Sequence, residues 1–190
     1  RGAASRVERE DRLSRLETAT QIAALKDADL VVETISEHLA EKQEIIAAIE
    51  GVVADNAILA TNSSFLDIEK LASVAGRPEN FAGLHFFNPA NIMKLVEVAR
   101  AARTSAATLA TLIALAKRLG KTAVSVGPSE GFVANRMLAK RTREALFLLE
   151  EGATPAQIDR ALVEFGFPVG PFALADMAGL DVLAAARAAR

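Results

Sequence analysis

Between Asp29 and Val126, short runs of apolar, β-branched residues alternate with longer stretches whose apolar residues recur at helical spacing, and this alternation limits the fold more than any other feature. DLVVETI (29–35), AILAT (57–61), Phe81–Phe86, KLVEVA (94–99) and TAVSV (122–126) read as strands. HLAEKQEIIAAIEGVV (38–53), Ile68–Val74 with Asp67 as its cap, and Ser105–Leu119 closed by Gly120 read as helices. The strands lack inside/outside alternation, so both faces are expected to be buried, which is the pattern of a parallel sheet covered by helices on both sides. The fold class is α/β.

After Val126 no strand pattern remains. Phe132–Glu151 is a long helical stretch closed by Gly152, and Thr154-Pro155-Ala156-Gln157 supplies a cap, a proline at the first helical position and a capping-box glutamine. Ile158, Ala161, Leu162 and Phe165 fall at i, i+3, i+4 and i+7, which predicts one buried stripe. The boundary is placed at Gly127-Pro128, giving an α/β portion over 1–127 and a smaller all-helical domain over 128–190. Residues 5–17 mix both charge signs, as a solvated helix does. The chain opens Arg-Gly-Ala-Ala without methionine and reads as part of a longer polypeptide.

Composition excludes several function classes. Lys and Arg total 22 against 24 Asp and Glu, a net charge of -2, so no basic excess exists to neutralise a nucleic-acid backbone. Cysteine is absent, which removes disulfides and thiolate metal sites and suits a reducing, cytoplasmic setting; no metal site is expected. Lys117 and Arg118 interrupt the best apolar run, so no membrane span is expected. No Gly-x-Gly-x-x-Gly, Walker A or Gly-x-Ser-x-Gly pattern occurs.

The two histidines differ in context. His38 lies between Glu37 and Glu41 at a helix start and reads as a solvated surface residue. His85 closes an apolar strand in GLHFFNP. From spacing alone, a neutral core histidine and a catalytic one are equally tenable. Two facts favour catalysis: ligands of open α/β sheets bind at the carboxyl ends of strands, and Glu97 lies inside another apolar strand, where a lone carboxylate needs a partner. The two side chains can form a dyad. Asn135 shares a helical face with Leu138, Ala139, Thr142, Leu146 and Leu149, so its amide is either an interhelical bond or a substrate anchor. Ser63 and Ser64 mark a turn after the AILAT strand. Asn62-Ser63-Ser64 also matches a glycosylation acceptor, which is discounted because nothing indicates secretion.

ATNSS (60–64), FAGLHFFNPANIMKLVEV (81–98), GFVANRML (131–138) and FPVGPFALADMAGLD (167–181), in this order, resemble the 3-hydroxyacyl-CoA dehydrogenases of fatty-acid β-oxidation. LLEEG, EFGF and AGLDV look most like the dehydrogenase part of bifunctional enzymes that also carry an enoyl-CoA hydratase. The resemblance implies a partial Rossmann-type NAD domain followed by a helical domain, and oxidation of L-3-hydroxyacyl-CoA to 3-ketoacyl-CoA. It implies that His85 is the general base, Glu97 its orienting partner, and Ser64 and Asn135 polar contacts to the reacting acyl group. Asn62, Glu37, Lys42 and Ser64 match positions near the nicotinamide end of NAD, and Asn88 supports the histidine loop at the substrate side. Association as a homodimer, or pairing with a second helical domain of the same chain, is expected of the helical region.

One departure stands out. The family's opening strand, glycine-rich turn and helix do not occur before Asp29, and that turn supplies the main anchor for the pyrophosphate. These 190 residues alone are therefore expected to bind NAD negligibly and to show little activity. Two other readings stay open: an NAD-dependent dehydrogenase of the same plan acting on a small hydroxy acid, and a structural or interaction protein that kept the fold without the chemistry.

Overall fold

A computed structural model describes residues 5–180, which divide into two compact units, one ending at Phe132 and the other beginning at Val133. The alanine-rich stretch 183–190 and the end of AGLDV lie outside the described residues.

The first unit opens with α1 (Arg6–Leu13), exposed along its length and started by a Ser5/Glu8 capping box. A five-stranded sheet follows, made of β1 (Leu30–Glu33), β2 (Ile58–Thr61), β3 (Phe81–Phe86), β4 (Leu95–Ala99) and β5 (Thr122–Val126), in that spatial order. Between them run α2 (Leu39–Glu50), α3 (Ile68–Ala72) and α4 (Ala106–Arg118). Asp67 caps α3 through Glu69 N–H, and Ser105 caps α4 through Thr108 N–H. Residues of α2 and α3 (Ile46, Ile49, Ile68, Leu71) pack with Leu59 and Phe81, while Leu112 and Ala116 of α4 pack with Ala60, Ala82, Leu84, Val96 and Val98. β1 to β4 thus feed two apolar layers, which is why their sequences show no polar face; β5, at the sheet's edge, departs from the expected two-sided burial, with Val126 buried but Thr122, Val124 and Ser125 exposed.

The sheet is not wholly parallel. β1–β2, β2–β3 and β4–β5 are parallel, but β3 and β4 run antiparallel. The connection over 87–94 contains no helix, and a parallel return needs a crossover of roughly a dozen residues or more. A strand that follows so soon must come back antiparallel. The register this creates sets His85 directly opposite Glu97.

In the second unit, α5 (Ala134–Glu150), α6 (Pro155–Phe165) and α7 (Pro171–Ala178) are joined by short turns. The expected start of α5 at Phe132 shifts because Gly131 and Phe132 both have positive φ, 67° and 48°, which no helix accommodates. Thr154 and Gln157 form the expected capping box of α6. The buried stripe predicted for α6 is only partly present. Ile158 is buried and Leu162 half-buried, but Ala161 is exposed and Phe165 is 83% exposed, its ring stacked on Phe167. The three helices among the described residues leave too little interior to cover the whole apolar stripe.

The start of α7 explains one glycine and one acid. Asp159 accepts the N–H groups of Phe172 (2.9 Å) and Ala173 (2.8 Å), the orphan donors of a helix whose Gly170 cap offers no side chain. A Cβ on Gly170 would lie 2.2 Å from the Asp159 carboxyl carbon. Asp159→Ala is expected to cost about 0.5–2 kcal/mol, as loss of a cap does. Urea denaturation checks this, and unchanged stability would show that water replaces the carboxylate at no cost.

Candidate active site

His85 is the penultimate residue of β3 and Glu97 the central residue of β4. Their antiparallel pairing brings His85 Nδ1 to 3.0 Å from Glu97 Oε2. Both are nearly buried, the imidazole 4% and the glutamate 1% exposed. A carboxylate at Nδ1 holds the neutral ring's proton on that nitrogen and leaves Nε2 bare as an acceptor. Ser64 Oγ lies 3.1 Å from Nε2, so with this tautomer the serine hydroxyl donates to it. Ser64, His85 and Glu97 form one hydrogen-bonded line.

Two aromatic rings flank the imidazole. Phe87 lies 4.5 Å away, centroid to centroid, and Phe132 5.7 Å, both tilted by about 50°. Phe132 is buried and keeps a left-handed backbone at φ 48°, a conformation that costs a bulky residue about 1–3 kcal/mol and tends to occur at functional sites.

A second polar cluster lies at the ends of β1 and β2. The carboxylate of Glu33 accepts Lys42 Nζ (2.7 Å) and Ile35 N–H (2.6 Å) at one oxygen and the Thr61 hydroxyl (2.7 Å) at the other. Lys42, 1% exposed, also donates to the Ile35 carbonyl at 3.0 Å and lies 3.7 Å from Glu37. Glu37 Oε1 accepts the Ser63 hydroxyl at 2.5 Å and the Ser64 and Phe65 amides at 2.8 and 2.9 Å. Burial of Glu37 works against its charge, yet the Ser63 hydroxyl, the Phe65 and Ser64 amides and the Lys42 ammonium together hold its pKa below the ordinary 4.5.

A depressed folded-state pKa means that Glu37 contributes stability that is fully present above about pH 4.5 and is lost as the pH falls through the folded value. In urea titrations at successive pH values, wild type is therefore expected to lose its advantage over Glu37→Gln only below about pH 4.5. An advantage that does not change with acidification down to pH 3 would contradict this.

The structure thus joins Ser64, His85 and Glu97 directly, and brings Glu37 and Lys42 to the same turn. Asn62 accepts the Phe86 N–H at 2.8 Å and so ties β2's end to β3 beside the histidine. Asn88 is exposed, in a segment whose Ala90 and Met93 carbonyls accept Lys121 Nζ. Asn135 belongs to the second unit, half-buried in the first turn of α5, on the same half-buried face as Leu138, Ala139 and Thr142. His38 is exposed at the start of α2. Sequence reasoning gave Glu33, Thr61, Phe87 and Phe132 no place in the site and read Ser63 only as marking a turn. Of these, Glu33 had a signal: a carboxylate in an apolar strand, as at Glu97. Among the described residues no cluster of three His, Cys, Asp or Glu is placed to hold a metal ion, and no helix is long and apolar enough to cross a membrane.

An α/β sheet with a carboxylate-oriented histidine at a strand's carboxyl end sets a general-base pair where folds of this class bind their ligands. The chain belongs to the 3-hydroxyacyl-CoA dehydrogenase family: residues 1–129 match its NAD binding domain and residues 131–189 its C-terminal domain. It is 48% identical to the peroxisomal bifunctional enzyme of Danio rerio over 170 residues, 90% of this chain and 24% of that protein. It is 44% identical to the fatty acid oxidation complex subunit alpha of Shewanella halifaxensis over 92% of this chain and 25% of that protein. The crystal structure of (S)-3-hydroxybutyryl-CoA dehydrogenase from Ralstonia eutropha superposes with a TM-score of 0.90 at 41% identity, covering 96% of this chain and 65% of that one. The chain therefore spans about a quarter of the length of these curated relatives.

Proposed function

We propose that the protein carrying these residues oxidises L-3-hydroxyacyl-CoA to 3-ketoacyl-CoA with NAD, in fatty-acid β-oxidation. The observation that carries this reading is the line Ser64–His85–Glu97, in which Nε2 is the unprotonated, hydrogen-bond-accepting nitrogen of an imidazole oriented by a carboxylate. His85 Nε2 takes the proton of the substrate's C3 hydroxyl, and Glu97 stabilises the imidazolium that results. Bound NAD would supply the acceptor for the hydride from C3. Ser64 holds the C3 hydroxyl oxygen and so aligns C3, and Asn135, on α5, is the polar group that the resemblance assigns to the acyl chain. The rings of Phe87 and Phe132 keep water from the imidazole.

The residues present fit the nicotinamide half of NAD. Glu37, Asn62 and Ser64 offer partly accessible polar groups at the carboxyl ends of β1 and β2, with Lys42 behind them as positive charge and Asn88 supporting the turn after β3. They do not supply a pyrophosphate cradle, because the eleven glycines are dispersed.

The reading extends to association and location. Met137, Phe147, Leu148, Val163 and Phe165 expose apolar surface on the second unit, which supports pairing with a second copy or with another helical domain of the same polypeptide. Absence of cysteine supports a cytoplasmic setting.

The test is turnover by the whole protein. Acetoacetyl-CoA is expected to be reduced with NADH and small keto acids are not, whereas the reverse preference would overturn the thioester assignment. Isothermal titration of the 190 residues alone is expected to show no micromolar NAD binding.

A further inference from the structure

One oxygen of Glu37 gathers four donors from a single turn. Besides the Ser63 hydroxyl and the amides of Ser64 and Phe65, the Leu66 amide lies 3.4 Å from Oε1 and also donates to Ser63 Oγ at 3.1 Å. Successive amides turned toward one point form an anion-binding nest. Here the anion is the protein's own carboxylate, reaching across from the segment that follows β1. Lys42 faces its other oxygen at 3.7 Å and is itself fixed by Glu33 and the Ile35 carbonyl.

The consequence falls on Ser64. Its amide is held by Glu37 while its hydroxyl reaches His85 Nε2, so the carboxylate fixes the backbone from which that hydroxyl projects. We infer that Glu37 is a positioning residue for Ser64, clamping the 63–66 turn so that the serine hydroxyl meets Nε2 of His85. This goes beyond a contact to the cofactor, and its kinetic consequence rests on the dehydrogenase reading while its geometry does not.

Two arms separate those possibilities. The first needs no activity: the chain has only two histidines, so the imidazole nitrogens of His85 are readily assigned by NMR. Glu37→Ala is expected to move the His85 Nε2 resonance to where Ser64→Ala moves it, and the double variant to match Ser64→Ala alone. If Glu37→Ala does not fold, Glu37→Asp decides, since it keeps the charge beside Lys42 but is a methylene too short to reach all four donors. It is expected to produce at least half the Ser64→Ala displacement. A wild-type Nε2 resonance in the folded variant overturns the inference.

The second arm is kinetic, on the whole protein with 3-hydroxyacyl-CoA and NAD. The Glu37→Asp/Ser64→Ala double variant is expected to match the kcat of Ser64→Ala within about twofold, as residues acting as one unit do. A raised KM for NAD with kcat retained in Glu37→Asp overturns it and leaves a cofactor contact alone. If wild type does not turn over the thioester, the dehydrogenase reading falls and the resonance still decides the clamp.

Discussion

His85→Ala in the whole protein is expected to lower kcat for 3-hydroxyacyl-CoA oxidation by about 10²–10⁴-fold, the range general-base catalysis contributes. KM for NAD should change little, because the imidazole serves the hydroxyl proton and not cofactor binding. Glu97→Gln is the sharper variant. Its amide can donate to Nδ1, which moves the ring proton to Nε2 and removes the free acceptor at the nitrogen that does the work. It also strips the charge that stabilises the imidazolium, so its kcat should approach that of His85→Ala with the fold retained. The double variant should be no worse than His85→Ala alone, since the carboxylate acts through the ring. Full activity in His85→Ala would end the dehydrogenase reading, and independent, multiplying losses would show that Glu97 has a role apart from the imidazole.

The elements were legible because burial on two faces leaves a plain trace in sequence. Apolar strands such as Phe81–Phe86, and helices with caps at Asp67 and Thr154, follow from local chemistry alone. The direction of β4 was less visible. It follows from the absence of a crossover helix between Phe86 and Leu95, a negative feature that strand patterns do not display. The exposure of Phe165 was hidden for a different reason: periodicity says which residues share a face but not whether anything covers it.

The same division holds at the site. Glu97 was found because an acid inside KLVEV has to be compensated, and His85 because it stands at a strand end. Glu33 inside LVVE is an acid of the same kind, and its charge is met by a lysine in the following helix. Phe132 gave no such sign. A phenylalanine in GFVANR looks like ordinary core or helix, and only the folded structure shows its left-handed backbone and its ring against the imidazole.

That buried acid leads to the largest stability effect. Lys42→Ala is expected to destabilise the chain by about 3–5 kcal/mol, the usual cost of leaving one member of a buried ion pair without its counter-charge. Lys42 and Glu33 are each 1% exposed at the side chain and lie 2.7 Å apart, so water cannot replace the missing ammonium cheaply. In a chain of this length such a loss lowers Tm by roughly 6–20 °C. Glu33→Leu alone should be comparably harmful, because it strands the ammonium and orphans the Thr61 hydroxyl. The Glu33→Leu/Lys42→Met pair should recover much of the loss, since apolar residues of similar volume replace a buried pair at little net cost. Thermal and urea denaturation of the four chains measure this cycle. If the double variant is as unstable as the sum of the singles, then the pair's further bonds to Ile35, Thr61 and Glu37, rather than mutual charge compensation, hold the ends of β1 and β2 together.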